Sequence, residues 1–320
     1  MIGVKISQIE YHLPDTILNN KDVASVMPGW SSDKIYDKIG IKNRHISSED
    51  ETALDIATKA CNKIRNKLDF EKIDSLILCT QSPEYLLPTG ACILQNRIGL
   101  NSNTMCFDFN LGCSGYIYGL AIAKGLIQSN IIKNCLLVTA DTYTKYLDQN
   151  DGSNRAIFGD GASVTYLESS HDNQIFNFVL GTDGSGSNNL IVRGGATKDI
   201  PNTYPILYMN GGEIFNFTNK SVPILVKNTL KENGMEIDDI DYFVFHQANM
   251  YMLEHLRKKI GIPKDKFIVD MENFGNTVSS TIPIVLANKI NLEINQLVDK
   301  KIMLVGFGVG YSWGAVIIKI

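Results

Sequence analysis

The stretch "DFNLGCSGYIYGLAIAKGL", Asp108 to Leu126, sets one cysteine among glycines where an apolar strand gives way to a helical run. Asp108 to Asn110 close the strand-like part. Gly112 and Gly115 bracket Cys113, and "YIYGLAIAKGLI" continues with helical periodicity and small residues at Gly119, Ala121 and Ala123. The glycines predict a tight strand-to-helix turn, which puts Cys113 at or near a helix N-terminus. Unpaired N–H groups and the helix dipole favour a thiolate there. A thiolate is the nucleophile that acyl transfer from a thioester needs. The same N–H groups can hold an oxyanion. A cysteine without such a setting is more often a small inert core residue. Cys61, Cys79, Cys92, Cys106 and Cys135 read that way.

Working outward, the chain repeats itself. "KIDSLILCTQSP" (Lys72 to Pro83) matches "DIDYFVFHQANM" (Asp239 to Met250), and "NCLLVTADTYT" (Asn134 to Thr144) matches "KIMLVGFGVGY" (Lys301 to Tyr311). Both pairs share an offset of 167, Ile73 against Ile240 and Val138 against Val305. Two pairs at one offset argue for duplication. Each copy opens with a helical pattern, "ALDIATKACNKIRNKL" or "VPILVKNTLKENGM". Strand, helix, strand, helix and strand follow. That alternation predicts an α/β fold of two pseudo-symmetric halves with largely parallel sheets buried on both faces. "ESSHDNQ" is the polar break between residues 1–170 and 171–320. "GTDGSGSNNLIVRGGATKD" (Gly181 to Asp199) reads as a long surface loop or lid.

The totals exclude several classes. Among 320 residues, 44% are apolar and 20% charged, and the net charge of −4 gives no footing for nucleic-acid binding. Five histidines are scattered, without a metal-ligand spacing. Six cysteines without a framework spacing read as free thiols in a reducing compartment. With no signal-peptide pattern and no spanning apolar run, the expectation is a soluble cytoplasmic protein without membrane contact.

The second half supplies two further candidates. "DYFVFHQANM" ends an apolar strand at His246, at the carboxyl edge where parallel sheets place active sites. Neutral histidine can stabilise an oxyanion or shuttle a proton. "ENFGNTVSSTIP" sets Asn276 before a helical run, and its amide donates a hydrogen bond without changing charge. By themselves these are commonly a satisfied histidine and a turn asparagine. Under the offset, His246 corresponds to Cys79, so equivalent strand ends would converge on one axis.

Taken together, these segments resemble the β-ketoacyl-ACP synthase III family of the thiolase fold. The likeness runs nearly end to end through "IGIKNRHI" (Ile39 to Ile46), "GCSGY" around Cys113, "FGDGASVTYL" (Phe158 to Leu167), "HQAN" (His246 to Asn249), "FGNT" (Phe274 to Thr277) and "GFGVGYSWGA" (Gly306 to Ala315). The resemblance implies a layered αβαβα architecture. It implies a triad of Cys113 from the N-terminal half with His246 and Asn276 from the C-terminal half. Cys113 would take an acyl group from a thioester, and malonyl-ACP would then condense with loss of CO₂. The backbone N–H groups of Cys113 and Val309 would hold the acyl oxyanion. No metal or redox cofactor is implied. The partners implied are acyl carrier protein and a second copy, whose pocket "YLLPTGACILQNRIGL" (Tyr85 to Leu100) would line. The basic run Arg257, Lys258 and Lys259 could meet the carrier protein's acidic surface, or be a solvated helix face.

The chain also departs from the pattern. Housekeeping members carry a tryptophan where Ile35 stands, near Trp30, and an arginine where Gly152 stands, with Arg155 displaced. That pair clamps the adenine of CoA. Tyr251 replaces an arginine after "HQAN", and Val309 replaces a glycine. These changes put CoA as the donor in doubt and point to a specialised relative, one reading being a condensing enzyme of a secondary or surface-polysaccharide pathway fed by an acyl-ACP. Two other readings remain: an acyltransferase serving an oxygen or nitrogen nucleophile in a secondary or surface-polysaccharide pathway, and a non-catalytic chain-length subunit. The retained Cys113 opposes the latter.

Overall fold

In the computed structural model, which describes residues 2–198, 205–297 and 299–320 (of 290–297 the backbone only), the repeat becomes two sheets on one blueprint. The first contains β1 (Gly3–His12), β2 (Ser75–Cys79), β3 (Met105–Phe109), β4 (Asn134–Asp141) and β5 (Gly161–Ser170), ordered β1-β5-β4-β2-β3. The second contains β6 (Val179–Thr182), β7 (Tyr242–Phe245), β8 (Phe267–Ile268), β9 (Lys301–Gly308) and β10 (Ser312–Lys319), ordered β8-β7-β9-β10-β6. The main helices are α1 (Ala53–Arg65), α2 (Gly90–Arg97), α3 (Gly115–Gln128), α4 (Gly211–Glu232), α5 (Met250–Ile260) and α6 (Thr281–Leu297). The offset of 167 survives in the hydrogen-bond register: Leu76 faces Leu136, and Phe243 faces Met303.

Five layers result. Alternate residues of β2 and β4 point to opposite faces, as strand geometry requires. Leu76, Leu78, Leu136 and Val138 pack outward against α1 and α2. Ile77 and Leu137 pack inward, with Val244 and Leu304 of the second sheet, against α3 and α6. Phe243, Phe245, Met303 and Val305 face α4 and α5 on the far side. The central α3 is therefore apolar around most of its girth, burying Tyr116, Ile117, Leu120, Ala123 and Ile127. Truncating one such leucine or isoleucine to alanine costs about 2–5 kcal/mol.

Three expectations need correction. Each sheet is mixed rather than largely parallel. β2 runs parallel to β3 and β4, but β5 is antiparallel to β4 and β1. The second sheet repeats this, with β7 parallel to β8 and β9 and β10 antiparallel to β9 and β6. The cause is connection length. Val309 to Tyr311 form a tight turn, which can only return the chain antiparallel. Next, the expected lid is largely built into the fold. Gly181 and Thr182 belong to β6, a 3₁₀ turn spans Gly184–Asn189, and Leu190–Val192 pairs with Leu207–Met209. Leu190 and Leu207 are buried, so this segment covers core; Asp199 lies outside the described residues. Finally, α4 begins at Gly211, upstream of Pro223, which lies within the helix.

Among the described residues no helix is long and apolar enough to cross a membrane, and no group of three His, Cys, Asp or Glu could hold a metal ion.

Candidate active site

Cys113 lies between β3 and α3, one residue before the Ser114 cap. Its flanking glycines serve a different purpose from the one the sequence implied. Neither adopts a left-handed φ. They are needed for close approach: a Cβ on Gly112 would sit 2.6 Å from Gln81 Oε1, and one on Gly115 2.3 Å from Cys79 Sγ. The turn is packed against its neighbours rather than twisted.

Cys113, His246 and Asn276 line one cavity of about 120 Å³, together with Tyr143, Phe158, Leu190, Ile214, Met252 and Phe307. All three are almost wholly buried. The sequence foresaw this meeting of strand end, turn and helix start. Cys79 does not join them; its thiol donates to the Leu111 carbonyl at 2.9 Å, behind the turn.

His246 follows β7, with its backbone N–H donating to Val305 O at 2.8 Å. Its Nδ1 lies 2.8 Å from Thr281 Oγ1, and its ring stands edge-on to Phe307. Burial depresses its pKa to about 3, so the ring is neutral at physiological pH. Asn276 is oriented by its surroundings. Its Oδ1 accepts from Val278 N–H at 2.9 Å, which turns the Nδ2 group toward His246 Nε2, 3.4 Å away. Val278 is a buried β-branched residue at φ 54°, a strained conformation kept where it fixes the asparagine amide.

The expected standing thiolate is not found. Burial, and then the Asp141 carboxyl, push the Cys113 thiol up to about 12, against the pull of its own backbone N–H. Desolvation in an apolar cavity outweighs the helix terminus. This setting favours the thiol form of Cys113.

The loop after β9 lies beside the Cys113 turn. Val309 follows β9, and its carbonyl accepts from Ser312 Oγ at 2.8 Å. Ser312 Oγ lies 2.6 Å from Ser114 Oγ, tying the two loops at a fixed spacing. Among the described residues, no backbone carbonyl takes the N–H of Cys113 or Val309.

The other singled-out residues do not line this cavity. Arg257 is held by Glu254 at 3.0 Å and by the Ile262 carbonyl at 3.0 Å, closing the end of α5. Lys259 donates to Asn219, while Lys258 is exposed. Ile35 is buried against Val23 and Ala156, with Trp30 packed on the same cluster. A Cβ on Gly152 would lie 2.0 Å from Met27 Cγ, so the present packing leaves no space for an arginine there. Arg155 donates to Gln149 O at 2.8 Å. Tyr251 lies tilted against Phe215, 5.8 Å between centroids. Sequence reasoning missed Thr281, Val278, Ser312, Asp141 and Tyr143, because they act on the site through hydrogen bonds and packing that no local motif announces.

Two fused halves around a central helix pair, with a cysteine at the start of one helix, form the thiolase-like architecture. The family model described as 3-oxoacyl-[acyl-carrier-protein] synthase III matches residues 107–184, and its C-terminal counterpart matches 230–320. The β-ketoacyl-[acyl-carrier-protein] synthase III of Clostridium perfringens is 34% identical over 100% of both chains. The crystal structure of a 3-oxoacyl-(acyl-carrier-protein) synthase III superposes with a TM-score of 0.96 at 42% identity, covering 99% of this chain and 100% of that one. A 3-oxoacyl-(acyl-carrier protein) synthase from Burkholderia xenovorans gives 0.94 at 34% identity, covering 99% and 94%. The chain belongs to the β-ketoacyl-[acyl-carrier-protein] synthase III family.

Proposed function

We propose that this chain is a 3-oxoacyl-ACP synthase in which Cys113 carries the acyl group. The Cys113 sulfur attacks the carbonyl carbon of an acyl thioester. A new C–S bond forms, the donor's C–S bond breaks, and the donor leaves as a thiol with the Cys113 proton. The N–H groups of Cys113 and Val309 hold the tetrahedral oxyanion. Malonyl-ACP then loses CO₂, and the electron pair of the broken C–C bond passes into the thioester carbonyl. The enolate oxygen accepts hydrogen bonds from His246 and Asn276. Its carbon attacks the acyl carbon, giving 3-oxoacyl-ACP, and the sulfur leaves and takes a proton from water. Two half-reactions on one cysteine predict ping-pong kinetics. The chemistry draws on no metal or redox group.

The observation that supports this reading is the pair of neutral nitrogens facing the Cys113 cavity. In the tautomer that carries its proton on Nε2, His246 presents that N–H beside the Asn276 amide, and Nδ1 accepts from the Thr281 hydroxyl. In that tautomer the two nitrogens are both donors, 3.4 Å apart, and cannot satisfy each other, so both are left to one oxygen acceptor. An enolate is such an acceptor. Plain transfer to an oxygen or nitrogen nucleophile has less need of both.

Residues 1–170 and 171–320 are read as the two duplicated halves. The carrier protein docks at the end of α5 through Lys258 and Lys259, with Arg257 bracing them. The active species is a cytoplasmic homodimer, supported by Tyr85, Leu86 and Leu87, which are 61%, 70% and 86% exposed.

Intact-protein mass spectrometry with a panel of acyl-ACP and acyl-CoA donors tests the nucleophile. Wild type gains one acyl mass and Cys113→Ala gains none. Equal labelling of the two would remove Cys113 from the role.

A further inference from the structure

We propose that Arg44 is a positioning residue for the decarboxylation step: it holds the backbone to which the Asn276 loop is bonded, and so aims the Asn276 amide. This rests on Asn276 as a donor to the enolate and names what keeps that donor in place.

Arg44 stands in the short strand Asn43–Ile46 and does not line the Cys113 cavity. It is nevertheless wholly buried. Burial lowers its pKa to about 10, which leaves it charged at physiological pH. Its hydrogen-bond partners are all uncharged oxygens. Nε donates to the Ala156 carbonyl at 2.7 Å. Nη1 donates to Asn20 Oδ1 and to Lys42 O, the latter at 3.3 Å, and Nη2 reaches Ile41 O at 3.5 Å. A buried charge held without a counter-ion is costly. What it gives here is reach. The acceptors lie in three separate segments, and a planar fork of five N–H groups joins them where a lysine ammonium, a single point, does not.

The Ala156 bond is the one that leads to the site. The residues after Ala156 bridge to the Asn276 loop. Asn276 N–H donates to Ile157 O at 2.9 Å, and Gly159 N–H donates back to Asn276 O at 3.0 Å. Phe158 and Asn276 thus pair as parallel strands do. The arginine stem lies against both sides of this bridge. A Cβ on Gly159 would be 3.5 Å from Arg44 Cβ, and one on Gly275, at φ 72°, would be 3.1 Å from Arg44 Cγ. Head and stem together fix the backbone of Asn276, whose side chain then needs only its Val278 bond to face His246. The Cys113 turn is tied elsewhere, through Ser114 to Ser312.

The test measures malonyl-ACP decarboxylation and Cys113 acylation in parallel for Arg44→Lys and Arg44→Met. Decarboxylation is expected to fall about tenfold or more, as misplacing a reacting group does, with acylation within about threefold of wild type. In an Asn276→Ala background, adding Arg44→Lys is expected to lower decarboxylation no further, because the amide it aims is gone. A merely structural arginine would lower both half-reactions together, in step with the melting temperature, and its loss would multiply with that of Asn276→Ala. Either result in a folded variant overturns the proposal, and so does wild-type decarboxylation in folded Arg44→Met. Asn20→Ala leaves the arginine in place and removes one of its acceptors, so it decides the matter if no Arg44 variant folds. It is expected to show the same one-sided loss, about threefold. Unchanged decarboxylation in that variant overturns the proposal. Failure of the underlying reading looks different: Asn276→Ala alone keeps full decarboxylation.

Discussion

The ends of β4 and β9 occupy the same place in their sheets, yet they hold the loops of the site by opposite means. β4 presents Thr139 and Asp141 to the loop that carries Asn276. Thr139 Oγ1 lies 2.8 Å from Ser280 Oγ, and Asp141 accepts a short hydrogen bond from Ser279 Oγ. At the offset of 167, β9 presents Gly306 and Gly308 to the loop that carries Cys113. A Cβ on Gly306 would lie 2.9 Å from the Cys113 carbonyl oxygen, and one on Gly308 2.9 Å from Cys113 Cβ. One loop is anchored by side chains, and the other is admitted by their absence. The two sheets share one layout, and their strand ends differ with their tasks. An amide must be oriented, which takes a polar frame. A thiol with free backbone donors beside it must be approached closely, which takes glycine.

The largest effects should come from the groups the polar frame orients. His246→Ala and Asn276→Ala are each expected to lower decarboxylation of malonyl-ACP by about 10²–10³-fold, the usual loss when one oxyanion donor is removed. Acylation of Cys113 should continue in both. Measuring CO₂ release and acyl-enzyme mass in parallel separates the two half-reactions. Full decarboxylation in both variants would favour transfer to an oxygen or nitrogen nucleophile.

The glycine side should give the opposite pattern. Gly308→Ala brings a methyl within 3.1 Å of Cys113 Sγ and forces the loop to shift. A displacement near 1 Å can cost about 10²-fold in rate. The loss should fall on Cys113 acylation, with malonyl-ACP decarboxylation less affected. An unchanged acylation rate would mean that the loops are not held as the comparison states.

Much of this was legible in the sequence, for identifiable reasons. Strands β2, β4, β7 and β9 are short apolar runs buried on both faces, so the two halves look alike in sequence there. The order of helices and strands in each half followed from periodicity. Cys113, His246 and Asn276 stood out because each ends or begins an element beside glycine or a strand. The antiparallel halves of the sheets were hidden, since pairing direction is decided by connections rather than by strand composition. The state of Cys113 was hidden for another reason. The helix terminus is local and readable, but the burial that overrides it comes from residues far apart in the chain. The basic run 257–259 shows the same limit: charge is visible in a sequence, but the Glu254 that occupies Arg257 is seen only in three dimensions.

The smallest effect, and the one most particular to the polar frame, concerns Asp141. It is wholly buried, and desolvation raises its pKa to about 7 despite hydrogen bonds from Ser279 and Gln81. In the unfolded chain an aspartate titrates near about 3.9. Between those values the folded state binds more protons than the unfolded state, so stability falls as pH rises from about 4 through 7. From pH 6 to pH 7 this one group should remove about 1 kcal/mol. Asp141→Asn keeps the shape and cannot ionise, so urea unfolding of the variant should lack that part of the slope. The β9 side has glycine at the equivalent position and can contribute no such slope. Equal pH dependence in wild type and Asp141→Asn would mean that Asp141 is ionised when folded. The Asn276 loop would then be anchored by a full charge, a stronger contrast with the Cys113 side than the one drawn here.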